Sequence, residues 1–341
     1  MISPEKKIDT LFTSWLTISL ILVLSIIIVG GLTRLTNSGL SITEWELFKG
    51  ILPPLNDKNW NQYFDLYKEI PQYKLLNNNM GLNDFKIIFY WEYFHRMLGR
   101  LIGLFFLLPL LYFYFFHKIK KEYLFPCYLI LFLIITQGIV GWFMVKSGLI
   151  NDVTVSHYRL SLHLGIAITI ISIIFWLIIN IKDNTLKIFF NFKEKNIPFL
   201  ILILLIFFQI ILGAFVSGLD AGKIYQTWPL MGSTYIPNDL FPVDLRSIIN
   251  FNNHSLVQFY HRNLAYVITI YFLIFSLFIL KNRMIKLYKP LIVVSILLLL
   301  QIVLGIYTLI TGLNIYLASA HQISSVLLVF STINLYYSSI K

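Results

Sequence analysis

The sequence predicts an all-α integral membrane protein whose eight transmembrane helices form two tandem, pseudo-symmetric four-helix bundles. Three observations lead to this fold class: an apolar composition, eight long apolar runs, and an internal repeat. Of the 341 residues, 57% are hydrophobic and 13% are charged, and the mean hydropathy is +0.75. Soluble domains are about a quarter charged. The composition therefore excludes an ordinary water-soluble domain.

The eight apolar runs are each long enough to cross the hydrocarbon core of a bilayer as a helix, which takes about 20 residues. Each run is continuous, as expected of a membrane-spanning helix. The runs cover roughly residues 12–33, 95–116, 124–145, 158–181, 198–218, 258–280, 288–311 and 315–337.

The distribution of positive charge predicts the topology. The formal net charge is +11, but the basic residues are spread over several loops and form no single patch, so nucleic acid is not indicated as a partner. With eight spans, the N-terminus and three lysine-rich loops fall on one side, and the positive-inside rule makes that side and both termini cytoplasmic. The outer side then receives two long loops, at about 34–94 and 219–257.

An internal repeat divides the chain into two four-helix halves. We predict an N-terminal half at 1–182, a cytoplasmic linker at 183–197 and a C-terminal half at 198–341. An even number of helices separates the copies, so both halves have the same orientation in the membrane. The matched positions are Gly30 and Gly213, Gly39 and Gly222, Trp45 and Trp228, Pro54 and Pro237, His95 and His261, Arg96 and Arg262, Gln137 and Gln301, Gly141 and Gly305, Gly148 and Gly312, and His163 and His321.

Four of the seven histidines lie near the starts of the even-numbered spans: His95, His163, His261 and His321. Every even-numbered span begins on the outer side, so the four imidazoles share one depth in the membrane. An ionisable residue inside the membrane is by default a candidate functional residue. The other three, His117, His157 and His254, are interpreted as loop or interfacial residues.

Two imidazoles from facing helices of a bundle are the ligand set of a haem iron, which takes axial ligands on opposite faces of a flat macrocycle. Zinc takes three or four ligands in a compact tetrahedron, and no third ligand is evident in either half. A cysteine site is excluded because Cys127 is the only cysteine. A di-iron carboxylate site uses Glu-x-x-His from two helices, and the chain has one such motif.

Basic residues near the histidines are candidates to contact haem propionates, the alternative being cations that snorkel to the interface at a helix end. Three are singled out: Arg96, Arg100 and Arg262.

The repeat differs at one informative position, where Glu92 in the first half corresponds to Gln258 in the second. Glu92 precedes His95 by three residues, so both side chains lie on one helical face. A glutamate beside an apolar pocket can hold or pass a proton, whereas glutamine cannot. The alternative is that Glu92 forms an ion pair with Arg96, one turn further on. The difference favours chemistry in the first half and an electron-transfer haem in the second.

The chain resembles the haem A synthase family over nearly its whole length. The motifs that carry the resemblance are GGLTRLTNSGLSITEW at 30–45, EYFHRMLGR at 92–100, QGIVGWFMVKSGL at 137–149, HLGIA at 163–167, YHRNLAY at 260–266 and SAHQ at 319–322. Some members have a cysteine pair in the first outer loop. This chain has none there, so it resembles the proteobacterial and mitochondrial branch.

The resemblance implies oxidation of the C8 methyl group of haem O to a formyl group by successive hydroxylations, giving haem A for the terminal cytochrome oxidase. It implies that His95 and His163 hold the substrate haem, that Glu92 is the essential carboxylate, and that His261 and His321 ligate a haem b cofactor. The location would be the bacterial inner membrane, with both haem sites towards the outer side.

The implied partners are haem O, delivered by haem O synthase, an unidentified electron acceptor, cytochrome oxidase assembly factors and the lipid bilayer. Assembly into a homo-oligomer stays open.

Two other functions are considered. A bis-histidine membrane cytochrome b would hold two unchanging haems and would need no glutamate in one half only. A transporter can also have two repeated halves, but it should have polar or broken helices at the midplane, where this chain has Leu, Ile and Phe.

The first outer loop is rich in aromatic residues, which would either cover the outer end of the pocket or, as we favour, form an interfacial belt. These residues are Trp45, Trp60, Tyr63, Tyr67 and Tyr73.

Overall fold

The computed structural model describes residues 4–45, 49–116, 118–240 and 245–340, and it is helical throughout its membrane-spanning part. The loop interpretation of His117 lies outside these residues. Within the described residues, eight helices are long and apolar enough to cross a membrane, which confirms the predicted class. In this part of the chain the structure has eleven α-helices: α1 (Pro4–Leu35), α2 (Asp57–Lys68), α3 (Pro71–Leu76), α4 (Leu82–Phe115), α5 (Lys121–Asn151), α6 (His157–Lys182), α7 (Ile197–Gly218), α8 (Leu245–Ile248), α9 (His254–Lys281), α10 (Tyr288–Ile310) and α11 (Ile315–Ser339).

The chain forms two compact units, Met1–Lys182 and Asp183–Lys341. In the first, α1 packs against α4 and α6, and α5 packs against the same two helices. Helices α4 and α6 therefore face each other diagonally across the bundle. The end of the bundle opposite the long loop is filled by aromatic side chains, where Trp15 donates a hydrogen bond to the Phe105 carbonyl at 3.1 Å and lies against Phe106.

The second unit has the same arrangement, because α7 and α10 each pack against α9 and α11. Helices α9 and α11 are thus the diagonal pair. Residues 183–196 belong to this unit. They pack on the end of α11, where Lys187 Nζ donates to the Tyr337 carbonyl at 3.0 Å and Thr185 Oγ1 lies 2.7 Å from the Tyr337 hydroxyl.

The long loop of the first unit is largely helical, and α4 begins at Leu82, well before the apolar run that predicts it. Asn56 caps α2, its side chain accepting a hydrogen bond from the Asn59 amide, and Pro71 begins α3. We call residues 49–81, which contain α2 and α3, the cap.

The cap packs on α4 through a hydrophobic core that the two share. One face of α2 presents Trp60, Phe64 and Tyr67, which are buried against Phe85 and Phe89 of α4. The ring centres of Trp60 and Phe89 are 5.0 Å apart, and those of Phe64 and Phe85 are 5.1 Å apart. The interfacial-belt interpretation is therefore wrong for Trp60 and Tyr67. Their spacing along α2 places them on one face, which packs on α4 and buries their apolar surface. Tyr63 and Tyr73 are partly buried against the same core, and Trp45 is 48% exposed.

Candidate functional site

Two histidines meet inside the first unit. His95 on α4 and His163 on α6 project between the diagonal helices, and their ring centres are 6.4 Å apart. Each ring lies against a glycine of a neighbouring helix. A methyl group added to Gly30 of α1 would lie 2.9 Å from His95 Nε2, and one added to Gly141 of α5 would lie 3.0 Å from His163 Cε1. Only glycine leaves room for the rings at these two positions.

The second unit repeats the construction. His261 on α9 lies against Gly213 of α7, and His321 on α11 lies against Gly305 of α10, with added methyl groups 3.2 and 3.1 Å from the respective Cε1 atoms. The two histidines thus lie on the diagonal helices α9 and α11, as His95 and His163 lie on α4 and α6. All four glycines occupy matched positions of the repeat. The sequence shows them as landmarks, but their role as surfaces for the histidine rings becomes visible only in three dimensions.

Glutamine side chains support the backbone at three of the four histidines. Gln137 Nε2 donates to the His163 carbonyl at 2.9 Å, and Gln301 Nε2 donates to the His321 carbonyl at 3.0 Å. Gln209 Nε2 donates to the His261 carbonyl at 3.0 Å and lies 3.2 Å from Nδ1 of its ring. The position that matches Gln209 in the first unit is Ile26, so His95 has no equivalent amide.

The separation of His95 and His163 fits an iron macrocycle held between two imidazoles. A metal–imidazole bond is about 2 Å, and the bonded nitrogen lies about 1.1 Å from the ring centre, so two imidazoles that share one metal ion have centres about 6 Å apart. The separation of His95 and His163 matches this value. Among the described residues, Nδ1 of His163 and of His321 are buried without a hydrogen-bond partner, which is expected where a ligand or water belongs. No group of three or more His, Cys, Asp or Glu side chains suited to a metal ion occurs in the same part of the chain.

Glu92 is buried and fully hydrogen-bonded at one turn from His95. Its Oε2 accepts from Ser41 Oγ at 2.8 Å and from the Ile42 amide at 2.9 Å. Its Oε1 accepts from Arg96 Nε at 3.0 Å and Nη2 at 2.6 Å. The Glu92 side chain is 3% exposed. The ion pair with Arg96 is thus present. The hydrogen bonds also join α4 to the segment that follows α1.

The matched arginines hold matched loop segments. Arg96 Nη2 donates to the Ile42 carbonyl at 2.9 Å, and Arg262 Nη2 donates to the Tyr225 carbonyl at 2.9 Å. Ile42 and Tyr225 are equivalent in the repeat. Arg262 also donates to the Thr227 carbonyl at 2.9 Å. These guanidinium groups hold the first residues of each outer loop. Some of their N–H groups are therefore already engaged in hydrogen bonds.

The exchange of Glu92 for Gln258 changes the direction of one hydrogen bond. Glu92 accepts from the loop amide, whereas Gln258 Nε2 donates to the Tyr225 carbonyl at 2.9 Å. The position of Ser41 is taken by Ile224 in the second unit. The first unit therefore has a carboxylate that accepts a hydrogen bond from a serine hydroxyl. The two matched positions of the second unit have neither a carboxylate nor a hydroxyl.

Arg100 lies five residues beyond His95 on α4, away from the cap, yet it lines a surface cleft together with Arg96, Glu44 and Tyr93. Its Nη1 lies 3.9 Å from the Met97 sulfur. The side chain thus turns back towards the loop, where the two arginines share one opening.

The fold and these sites define a multi-pass membrane protein with an intramembrane pair of imidazoles in each of two like units. Comparison with known proteins identifies the family. The COX15-CtaA family model, described as cytochrome oxidase assembly protein, matches residues 13–333. The chain belongs to this family.

Similar proteins from alphaproteobacteria carry the name Heme A synthase. One from Pelagibacter ubique is 47% identical over 325 residues, which cover 95% of each chain. One from Rickettsia felis is 41% identical over 331 residues, covering 96% of this chain and 98% of the relative. One from Rickettsia bellii is 42% identical over 331 residues with the same coverage.

Proposed function

We propose that this protein is a haem A synthase, an oxidoreductase that converts the C8 methyl group of haem O to a formyl group by successive hydroxylations. The observation that carries the proposal is the intramembrane pair His95 and His163 at 6.4 Å, beside a buried carboxylate, in a chain similar over 95% of its length to a relative named Heme A synthase. The product, haem A, would serve the terminal cytochrome oxidase.

The two units take different roles in this proposal. The N-terminal half, 1–182, holds the substrate haem between His95 and His163. The C-terminal half, 198–341, holds haem b between His261 and His321. The linker at 183–197 joins the two halves. The support for this assignment is the carboxylate and hydroxyl of Glu92 and Ser41, to which Gln258 and Ile224 correspond in the second unit.

Haem O would bring the methyl group to be oxidised. Each hydroxylation would replace one C–H bond of this group by a C–O bond to the oxygen of a water molecule and release two protons and two electrons, and the electrons would leave to the external acceptor. Side chains of the protein orient the haem and transfer the proton. His95 and His163 orient the macrocycle, and the glycines let the rings withdraw far enough to admit it. Glu92 takes up the proton that leaves the methyl carbon and passes it towards Ser41 Oγ, which is hydrogen-bonded to Oε2. Arg96 stabilises the carboxylate between turnovers through its two hydrogen bonds to Oε1.

The cellular setting follows from the same proposal. The protein lies in the bacterial inner membrane with both termini in the cytoplasm and the haem sites towards the outer side. Haem O synthase supplies the substrate, an unidentified acceptor takes the electrons, and oxidase assembly factors receive haem A. Self-association into a homo-oligomer is compatible with this setting.

One specific observation favours the second candidate, a bis-histidine cytochrome b electron carrier. The four hydrogen bonds of Glu92 account for its burial without any catalytic role. Under this alternative both units hold haem b permanently, and Glu92 only anchors the loop.

The haem content of the purified protein separates the two functions. The protein is produced together with a source of haem O, and its pigment is identified by pyridine haemochrome spectra and by mass, for wild type, Glu92→Gln and the control Glu69→Gln. Glu69 is an exposed cap residue paired with Lys74. We expect haem A beside haem b in wild type and control, and haem O or a partly oxidised form in Glu92→Gln. Haem b alone in all three proteins would establish the electron carrier.

A further inference from the structure

The linker that precedes α7 has two faces of different character. Side chains alternate along residues 185–192: those at odd numbers are partly buried and those at even numbers are exposed. Such alternation is expected of an extended chain. The exposed side chains are all large and apolar, with exposed fractions of 57% for Leu186, 73% for Ile188, 68% for Phe190 and 73% for Phe192. We call these four residues the apolar row.

The opposite face of the linker is held on the last turn of α11. The hydroxyl of Tyr336, which is fully buried, donates to the Phe189 carbonyl and accepts from the Asn191 amide at 3.4 Å. Lys187 Nζ lies 4.0 Å from the centre of the Tyr337 ring. These contacts fix which side chains face α11, so the apolar row is directed away from the helix.

The apolar row lies at the level where a membrane ends. Helix α11 has 25 residues and is therefore about 37 Å long, whereas the hydrocarbon core of a bilayer is about 30 Å thick. Its last turn, which holds the linker, thus lies at the boundary between acyl chains and headgroups. Helix α7 begins at the same level, because the ring centres of Phe199 and Tyr336 are 6.2 Å apart. Its exposed apolar surface starts with Ile197 and Ile201.

The end of the second unit that carries the apolar row is basic. Residues 183–197, together with residues 281–289 between α9 and α10 at the same end, contain seven basic and two acidic residues. The loop at 219–257, at the opposite end, contains two basic and three acidic residues. Lys193 and Lys195 directly follow the apolar row and are exposed. This end is complementary in charge to an anionic surface.

We propose that the apolar row, with Lys193 and Lys195, binds anionic phospholipid in the leaflet at this end of the second unit. The four apolar side chains lie among the first carbons of the acyl chains, and the two ammonium groups contact lipid phosphates. A contiguous apolar surface of this kind is unusual on a water-exposed face. The site is separate from both histidine pairs, and its occupancy does not depend on the proposed function.

The charge distribution favours lipid over a second copy of the chain as the occupant of the apolar row. In a dimer with two-fold symmetry, the same surface patch of each copy forms the interface. Two apolar rows in contact would bring two basic ends together, and like charges repel. An anionic lipid headgroup instead neutralises the lysines while its acyl chains cover the row.

The first test measures what surrounds the apolar row. The variant Phe190→Cys carries a nitrobenzoxadiazole dye, and the full-length protein is placed in vesicles of equal parts phosphatidylglycerol and phosphatidylcholine. The native Cys127 is fully buried, and wild type taken through the same labelling corrects for any dye on it. We expect quenching by phospholipids with a nitroxide near the headgroup, and protection from iodide in the water. The control Asn252→Cys, at an exposed position before α9, should show the reverse.

Two results would overturn the proposal. Quenching of the Phe190→Cys dye by iodide as strong as in the control would mean that the apolar row faces water. Protection from both quenchers would mean that protein, and thus a second copy of the chain, covers it. Circular dichroism of each labelled variant checks that the helices are retained.

The second test measures the preference for anionic lipid. The nitroxide is placed on phosphatidylglycerol in one sample and on phosphatidylcholine in the other, and the ratio of the two quenching efficiencies reports which lipid lies at the dye. We expect Lys193→Gln, Lys195→Gln to lower the preference for phosphatidylglycerol by about fivefold for each lysine, as for one lysine at an anionic membrane surface. The control Lys223→Gln, at the opposite end of the unit, where Lys223 pairs with Asp220, should keep the preference. An equal preference in the double variant and the control would refute the role of the two lysines.

Discussion

At the scale of single residues, the glycines that face the histidine rings are the most sensitive positions. A methyl group on Gly141 would lie 3.0 Å from His163 Cε1, closer than ordinary van der Waals contact. The ring would have to move away from the position that fits a metal at the centre of the pair. Overpacking of this kind costs about 1–3 kcal/mol.

We therefore expect Gly141→Ala to lower the haem affinity of the first unit by roughly fivefold to 150-fold, the range that corresponds to about 1–3 kcal/mol. The measurement is a haem titration of the purified protein. Gly138→Ala is the matched control, because it lies three residues earlier on α5 and an added methyl group there has no neighbour within 4 Å. Equal affinities for the two variants would show that His163 does not need the space beside Gly141.

At the scale of elements, Gln72 joins the cap to the rest of the first unit. This buried side chain donates from Nε2 to the Asn37 carbonyl and to the Val153 carbonyl, both at 3.1 Å. Its Oε1 accepts from the Tyr67 hydroxyl at 2.9 Å. One side chain thus connects α3, the segment after α1 and the turn between α5 and α6.

Replacement of Gln72 by leucine should loosen the cap, because the two carbonyls lose this donor and each buried unpaired group costs about 1–3 kcal/mol. We expect faster hydrogen exchange in α2 and α3, measured by mass spectrometry on the solubilised protein. The control is Gln62→Leu, the same change at an exposed position of α2. Exchange that is equally slow in both variants would mean that the aromatic core alone holds the cap.

Tyr67 gives the cap a dependence on pH. Burial raises the pKa of its hydroxyl above the ordinary value of 10.0, so the folded cap favours the neutral phenol. The resulting stabilisation is fully present below pH 10 and is lost as the pH rises through the higher pKa of the folded state. We expect the hydrogen exchange of α2 to accelerate above about pH 10 in wild type, beyond the normal increase of intrinsic exchange. Tyr67→Phe should lack this additional acceleration, and the same acceleration in the variant would assign it to another group.

The sequence predicts the membrane helices because a run of about twenty consecutive apolar residues is typical of a helix that spans a membrane. It does not predict the cap, since the length of the loop and its scattered aromatics resemble an interfacial belt. The spacing of Trp60, Phe64 and Tyr67 is nevertheless the signal of an amphipathic helix. The histidines are evident from the repeat. The hydrogen bonds from Ser41 and the Ile42 amide to Glu92 are not, because they join positions about fifty residues apart in the chain.

At the scale of the whole molecule, the two units share one arrangement of helices, glycines and histidines. The side chains around the two histidine pairs differ chemically. The first has Glu92 with Ser41, and the second has Gln258 and the Gln209 amide beside His261. A glutamine amide near an axial imidazole can orient the ring and influence the ligand strength of its nitrogen. The differences fall around the two histidine pairs, as the proposed division between a reactive and a resident haem requires.

Pairing of the histidines within each unit predicts how haem is lost from the whole protein. We expect the double variant His95→Ala, His163→Ala to retain one haem per chain with the spectrum of the second site, because the ligands proposed for that site, His261 and His321, are on α9 and α11 of the other unit. The double variant His261→Ala, His321→Ala should retain the complementary spectrum. The ratio of haem to protein and the low-temperature absorbance spectrum are the measurements. The variant His157→Ala, His254→Ala, which removes two histidines outside the pairs, should keep both haems. Loss of both haems from either of the first two variants, in protein that is still folded by circular dichroism, would contradict pairing within the units and with it the separate roles assigned to them.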